Sequence, residues 1–287
     1  MRFSINIPNF GDFADPRTVA TVAVAAEQAG WDGLFVWDHV VHTKEQRRGQ
    51  PFGDPWILLT AAALATTRLR LGTLVTPVAR RRPEQLARQV ATLDSLSGGR
   101  MIFAAGLGGP IEDEFGSFGD TTDPVVLAER LDEGLELLNR YWSGARVDWE
   151  GRHYTVNDVT LLPATVQRPR PPIWVGGFWP HRRPMRRAAR WDGAVPLFTE
   201  ARHGVVPPVE QVRELVAYIR QERTGDGRFE IVLGGRTPGD PTEAAAVIAP
   251  LADAGATWWD ERQLQASEEL HRAGAVLRRI NRGPPAL

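Results

Sequence analysis

The chain contains no cysteine, which removes disulfides, thiol catalysis, thiolate zinc sites and iron–sulfur clusters from consideration. Lys44 is the only lysine, so a Schiff-base or Walker-type lysine would have to be that residue. An excess of either charge is lacking too. The 34 basic and 35 acidic residues leave a formal charge of −1, which offers no chain-wide attraction to nucleic acid or to an anionic membrane. Long apolar runs are absent: the stretch Pro55 to Thr67 is too short to cross a bilayer. The opening MRFSINIPNF has no apolar segment of signal-peptide length and no small-residue cleavage pattern, so a cytoplasmic protein is expected. No H-E-x-x-H occurs and no H-x-H follows the first strand, which argues against a metal hydrolase and predicts no metal site.

What is present is alternation. The 287 residues, 43% hydrophobic and 24% charged, have an ordinary globular composition. Short apolar runs at 2–7, 31–37, 69–75, 101–105, 173–176, 192–195, 229–233 and 256–259 read as strands. Helix-period segments separate them, beginning near residues 16, 55, 83, 124, 184, 208, 241 and 267. Asp15-Pro16, Asp54-Pro55 and Asp123-Pro124 are N-cap and first-turn pairs, and Gly30 and Gly98-Gly99 are stops. Residues 147–156 break the pattern with a hairpin turning at Glu150-Gly151. Eight strand–helix units predict a parallel sheet closed into a single (β/α)₈ barrel (TIM barrel) over residues 1–287, with a β-hairpin inserted after the fourth helix.

In such a barrel the site lies just after the strands, at their C-terminal ends. That rule selects Asn9 and Phe10, Asp38 and His39, Thr73 to Thr76, and Gly106 to Gly109. It continues with Gly176 to Phe178, Pro196-Leu197, Gly234 to Thr237, and Trp259 to Glu261. The selection is rich in glycine and rings and poor in acids; Glu112, Glu114 and Glu261 are present but carry no positional signal. Such a mouth suits a planar organic cofactor that brings its own chemistry. Gly106-Leu107-Gly108-Gly109 is not a dinucleotide fingerprint, because Ile111 stands where the third glycine is required.

Three runs carry a resemblance: AEQAGWDGLFVWDH (26–39), RLRLGTLVTPVARRRPEQLARQVATLDSLSGGRMIFAAGLGG (68–109) and PRPPIWVGG (169–177). Their order and spacing resemble the luciferase-like flavin-dependent oxidoreductases over nearly the whole chain. The resemblance implies the same barrel, a small-molecule substrate, a homodimer, and either FMN for monooxygenation or the deazaflavin coenzyme F420 for hydride transfer. A flavin-binding or cofactor-free barrel without turnover is the reading from another class.

The resemblance assigns residues, each with a plainer alternative. His39, beside Asp38, matches the family histidine next to the ring and is the expected acid–base group; otherwise it is a histidine bonded to a loop carbonyl. Thr73-Leu74-Val75, after Gly72, match a bulge behind the ring, or else form a plain buried strand. Gly106, Gly108 and Gly109 would let a cofactor approach the backbone. Gly109-Pro110 is also a departure, since deazaflavin sugar-phosphate dehydrogenases of the family tend to carry a glutamate there, and Glu112 is the nearest acid. Gly176, Gly177 and Phe178 resemble a phosphate cradle before a helix, with Arg182 and Arg183 at the helix start awaiting an anion or else spread in solvent. Asn9, Phe10, Trp56 and Trp259 are the expected substrate side, with Trp179 beside them, although buried packing is the ordinary fate of a tryptophan. Arg80 to Arg82 read as a solvated helix entrance, and His42 as a surface residue.

Overall fold

The computed structural model describes residues 1–42, 49–201, 203–264 and 267–286; Lys44 lies outside them. The first half runs β1 (Arg2–Ile7), α1 (Pro16–Gln28), β2 (Gly33–Val36), α2 (Pro55–Ala65), β3 (Arg70–Thr73), β4 (Thr76–Pro77) and α3 (Pro83–Leu96). Then come β5 (Phe103–Gly106), α4 (Ile111–Glu114), α5 (Pro124–Trp142), β6 (Arg146–Glu150) and β7 (Thr155–Thr160). The remainder is β8 (Ile173–Trp179), α6 (Arg182–Ala189), β9 (Gly193–Phe198), α7 (Val209–Glu222), β10 (Glu230–Gly235), α8 (Pro241–Asp253), β11 (Trp258–Glu261) and α9 (Ala273–Ile280).

Nine strands form one parallel sheet in the order β3-β2-β1-β11-β10-β9-β8-β5-β4. Its ends meet through a parallel bridge between Leu71 and Met101, in which the Ile102 N–H donates to the Leu71 carbonyl at 2.9 Å. The sheet is therefore a nearly closed barrel, and the third of its eight staves is broken into β3 and β4. Residues 74 and 75 bulge between the pieces, with a cis peptide joining them.

Local chemistry explains the helix starts. The Asp54 carboxylate accepts from the Trp56 and Ile57 amides at 2.9 and 3.2 Å, and Asp123 accepts from Val125 at 2.8 Å. Proline occupies the following position in both helices, where a missing N–H costs nothing. β6 and β7 pair antiparallel, turning two to three residues beyond the expected Glu150-Gly151. The α5 carboxylate of Glu133 takes Trp149 Nε1 at 2.8 Å and the His153 amide at 2.9 Å. A Cβ on Gly151 would lie 1.5 Å from that carboxylate, which is why a glycine stands there.

The core has two layers. Inside the barrel, Phe35, Trp174 and Trp258 form an aromatic plug, with the two indole rings 5.3 Å apart, edge to face. Between sheet and helices lie Trp31, Trp56, Trp142, Trp179, Trp191 and Trp259. That placement answers the tryptophan abundance: eight of the ten are packing. Among the described residues no helix is long and apolar enough to cross a membrane.

Closure depends on one missing methyl group. A Cβ on Gly72 would lie 2.1 Å from the Ile102 carbonyl oxygen, a backbone atom that can move only by opening the seam. Gly72→Ala is expected to cost about 3 kcal/mol or more in urea denaturation. Gly225→Ala, where an added Cβ meets nothing within 4 Å, is the control and should change stability by less than about 0.5 kcal/mol.

Candidate active site

The ends of β1, β2, β4 and β5 converge on a buried charge cluster at the C-terminal mouth. Asp38, directly after the second stave, has a fully enclosed carboxylate. Arg80 pairs with it, Arg81 NH2 donates to it at 2.8 Å, and Thr76 Oγ1 donates at 3.0 Å. Arg80 also pairs with Glu114, the last residue of α4, whose side chain is equally enclosed. The other Glu114 oxygen meets His39 Nδ1 at 2.7 Å. Arg81 also lies 3.8 Å from Asp54, so two guanidiniums face three carboxylates around the imidazole. Burial pulls the Arg80 pKa below its ordinary value, and Asp38 pushes it back up; a guanidinium remains charged throughout.

His39 is held from both sides. Asn9 Nδ2 donates to the His39 carbonyl at 2.7 Å, and the His39 amide donates to Asn9 Oδ1 at 3.2 Å. Trp37 packs edge-on to the imidazole at 5.5 Å, and its indole N–H donates to Asn6. A proton on Nδ1 shared with Glu114 would make Nε2 the ring's acceptor.

Several sequence expectations change here. Asp38 was expected in a catalytic role, but its enclosure by Arg80, Arg81 and Thr76 makes it a positioning group. Arg80 and Arg81 are not a solvated entrance, because they fall beside two buried carboxylates. His42 is only 5% exposed; its ring packs on Phe10 and Phe52, and Nδ1 lies 3.5 Å from Asp113. All four expected substrate residues are buried: Asn9 clamps the His39 backbone, and Phe10 packs against Trp37 and Phe52. Trp56 stacks on Phe103, Trp259 donates to Glu261 at 3.0 Å, and Trp179 lies in the same outer layer.

On the expected cofactor side, Leu74 and Val75 do bulge at the mouth. A Cβ on Gly106 would meet Val75 Cγ2 at 2.6 Å, and one on Gly176 would meet Val75 Cγ1 at 3.1 Å. These glycines give the bulge its seat. Gly108, at φ +86°, admits Pro77, whereas Gly109 faces open space. Under the bulge, Thr73 Oγ1 lies 2.8 Å from Thr76 Oγ1, and because the single Thr76 proton goes to Asp38, Thr73 is the donor of this pair. Gly176, Gly177 and Phe178 are strand rather than loop, laddered to Val195, Pro196 and Leu197. Gly177 makes room for Pro184 of α6, while Phe178 stands 51% exposed.

Around the start of α6, Arg186 and Arg187 pair with Glu222 and Asp132. Arg182 lies 4.4 Å from the ring centres of both Trp179 and Tyr218. Arg183 has no ion pair among the described residues, and no side chain caps the helix.

Glu114 is the functional residue that sequence reasoning passed over. The only sequence signal is the acidic triplet Glu112-Asp113-Glu114 after the fourth strand, of which the last two are buried. The Glu114 partners lie 75 and 34 positions away in the chain, beyond any local pattern.

Along residues 1–283 the sequence matches the family described as luciferase-like monooxygenases. It is 32% identical over 176 residues to an F420-dependent glucose-6-phosphate dehydrogenase of Nakamurella multipartita, covering 58% of this chain and 48% of that protein. The chain spans about half the length of the curated relatives it matches. The monooxygenase RslO1 of Streptomyces bottropensis superposes with a TM-score of 0.77 at 23% identity, over 97% of both chains. An F420-dependent secondary alcohol dehydrogenase superposes with a TM-score of 0.74 at 15% identity, over 91% of this chain and 92% of that one. Both likenesses show the fold.

The ion cluster has a rank order to test. Arg80→Ala strands two buried carboxylates and is expected to cost about 3–5 kcal/mol of unfolding free energy. Arg81→Ala leaves Arg80 on Asp38 and should cost clearly less, both read by chemical denaturation.

Proposed function

The chain belongs to the luciferase-like monooxygenase family, and from that premise we propose an oxidoreductase whose mouth holds a deazaflavin of the F420 type, or FMN, against a small organic substrate. The observation that carries this reading is the contact between His39 and Glu114. It supplies an acid–base pair where Gly109-Pro110 departs from the expected glutamate.

The residues present fit a planar ring with an anionic tail. Leu74 and the half-buried Val75 offer an apolar platform, an added Cβ on Gly109 meets nothing within 4 Å, and Arg183 of α6 has no ion pair among the described residues. The acidic tail of a deazaflavin would suit that arginine, and F420 is what the Nakamurella relative's name gives as its cofactor. Hydride transfer with F420 is therefore the favoured form, and FMN monooxygenation the other.

When bound, the cofactor supplies or accepts the hydride. The chain's own task is the proton. As a substrate hydroxyl is oxidised, its carbon loses hydride and its oxygen loses a proton, which His39 Nε2 takes; in the reverse direction the imidazolium returns it. Glu114 fixes the tautomer that leaves Nε2 basic and stabilises the imidazolium once formed. Arg80 and Asp38 hold Glu114, and Asn9 holds the His39 backbone. A cytoplasmic homodimer completes the proposal, and light scattering on the purified protein tests the dimer.

Fluorescence titration of the purified protein is the primary test, with micromolar binding of F420 expected. Binding of FMN alone would select oxygenation, and binding of neither would reject the proposal. His39→Ala should lower turnover by about 100-fold or more while leaving cofactor affinity unchanged. Undiminished turnover would remove His39 from its role.

A further inference from the structure

Side chains alternate along β11. Trp258 points into the barrel plug and Trp259 into the outer layer. Asp260 is back on the inner row, where its fully buried carboxylate accepts from Ser4 Oγ at 2.8 Å. Glu261 faces out again, to Arg279 and Thr237. Arg262 continues the inner row one step nearer the mouth.

Arg262 is only 4% exposed. Its Nε donates to Asp260 at 2.7 Å, and neither terminal nitrogen has a partner among the described residues. Those nitrogens are not sealed in, so the guanidinium presents its fork to an opening rather than to packed chain. Its seat is specific, since a Cβ on Gly234 of β10 would lie 2.3 Å from the guanidinium carbon. Only glycine lets the side chain lie across the strand. Arg262 lines a narrow cleft with Pro196, Phe198, His203, Val205 and Gly234. The cleft opens at the ends of β9, β10 and β11, on the arc of the barrel away from the bulge. His203 lies edge-on to Trp37 at 4.6 Å, which links the cleft to the His39 side of the mouth.

We propose that Arg262 is the recognition group for a carboxylate carried by the substrate, which reaches it through this cleft. Two terminal nitrogens in one plane match two carboxylate oxygens. Asp260 does not use up that capacity, because its contact is through Nε alone. Burial pushes the Asp260 carboxyl up, against the downward pull of Arg262. The inference names a substrate class for the oxidoreductase and rests on reading the mouth as a substrate site.

The test is binding, not turnover. Calorimetry on the protein with and without saturating cofactor would compare acetate, butyrate and benzoate with acetamide, butyramide and benzamide. At least one carboxylate should bind tighter than its amide by at least about tenfold, and Arg262→Met should erase that preference without weakening the amide. If Arg262→Met does not fold, Arg262→Lys serves instead: it keeps the charge, loses the fork and should reduce the preference. No carboxylate preference in the wild-type protein overturns the inference, as does a preference that survives loss of the fork. Intact cofactor binding without carboxylate preference sinks this inference alone. Carboxylate preference without cofactor binding sinks the oxidoreductase reading and leaves the carboxylate site standing.

Discussion

Arg80 stands between two buried carboxylates, and the geometry of the mouth depends on it. One guanidinium ties Asp38 at the end of β2 to Glu114 on the short helix after β5. A buried ion pair contributes little net stability relative to apolar residues of the same volume, because desolvation consumes most of the attraction. What it does provide is direction. Glu114 is set at hydrogen-bonding distance from His39, and removing any one charge would leave another uncompensated in an enclosed site. The imidazole lies where three carboxylates, Asp38, Glu114 and the more exposed Asp54, face two guanidiniums.

The same region contains the break in the third stave, and the two features are coupled. Thr76, first residue of β4, donates to Asp38, and its hydroxyl also meets Thr73, last residue of β3. The bulge is thereby pinned from below by the ion cluster and seated above on Gly106 and Gly176. Three of the glycines that read as a cofactor-facing surface, Gly106, Gly108 and Gly177, are required by the protein's own packing against Val75, Pro77 and Pro184. The cradle is built by chain meeting chain, and Gly109 is the one member with an open face.

The barrel was legible because its signals are local: period, Asp-Pro caps and glycine stops each reside within a few residues. The order of units followed from them, whereas the position of the bulge came from the family resemblance. What was not legible depends on distant partners. Arg80 and Arg81 look like any exposed basic run until Asp38, about forty positions earlier, is folded against them. His42 reads as surface until Phe10 and Phe52 enclose it. Strand ends were drawn short at Gly176 because glycine reads as a terminator, yet pairing continues to Trp179. Barrel position directed attention to His39, but it could not distinguish a side chain of the inner row from one on the opposite face of the same strand end, as Trp259 shows.

That alternation also organises the barrel along its axis. Phe35, Trp174 and Trp258 fill the interior with rings beneath the mouth. Directly above, Ser4 and Asp260 form the first polar layer, and Arg262 and Trp37 the next, with Trp37 donating to Asn6. Above the plug, Asn9 fixes His39 and Glu114 meets its ring; Gly234 and Asp260 fix Arg262. Groups fixed by neighbours rather than by solvent need little reorganisation when charge develops beside them. The few charges at this mouth lie at short range among packed side chains, where screening is weak.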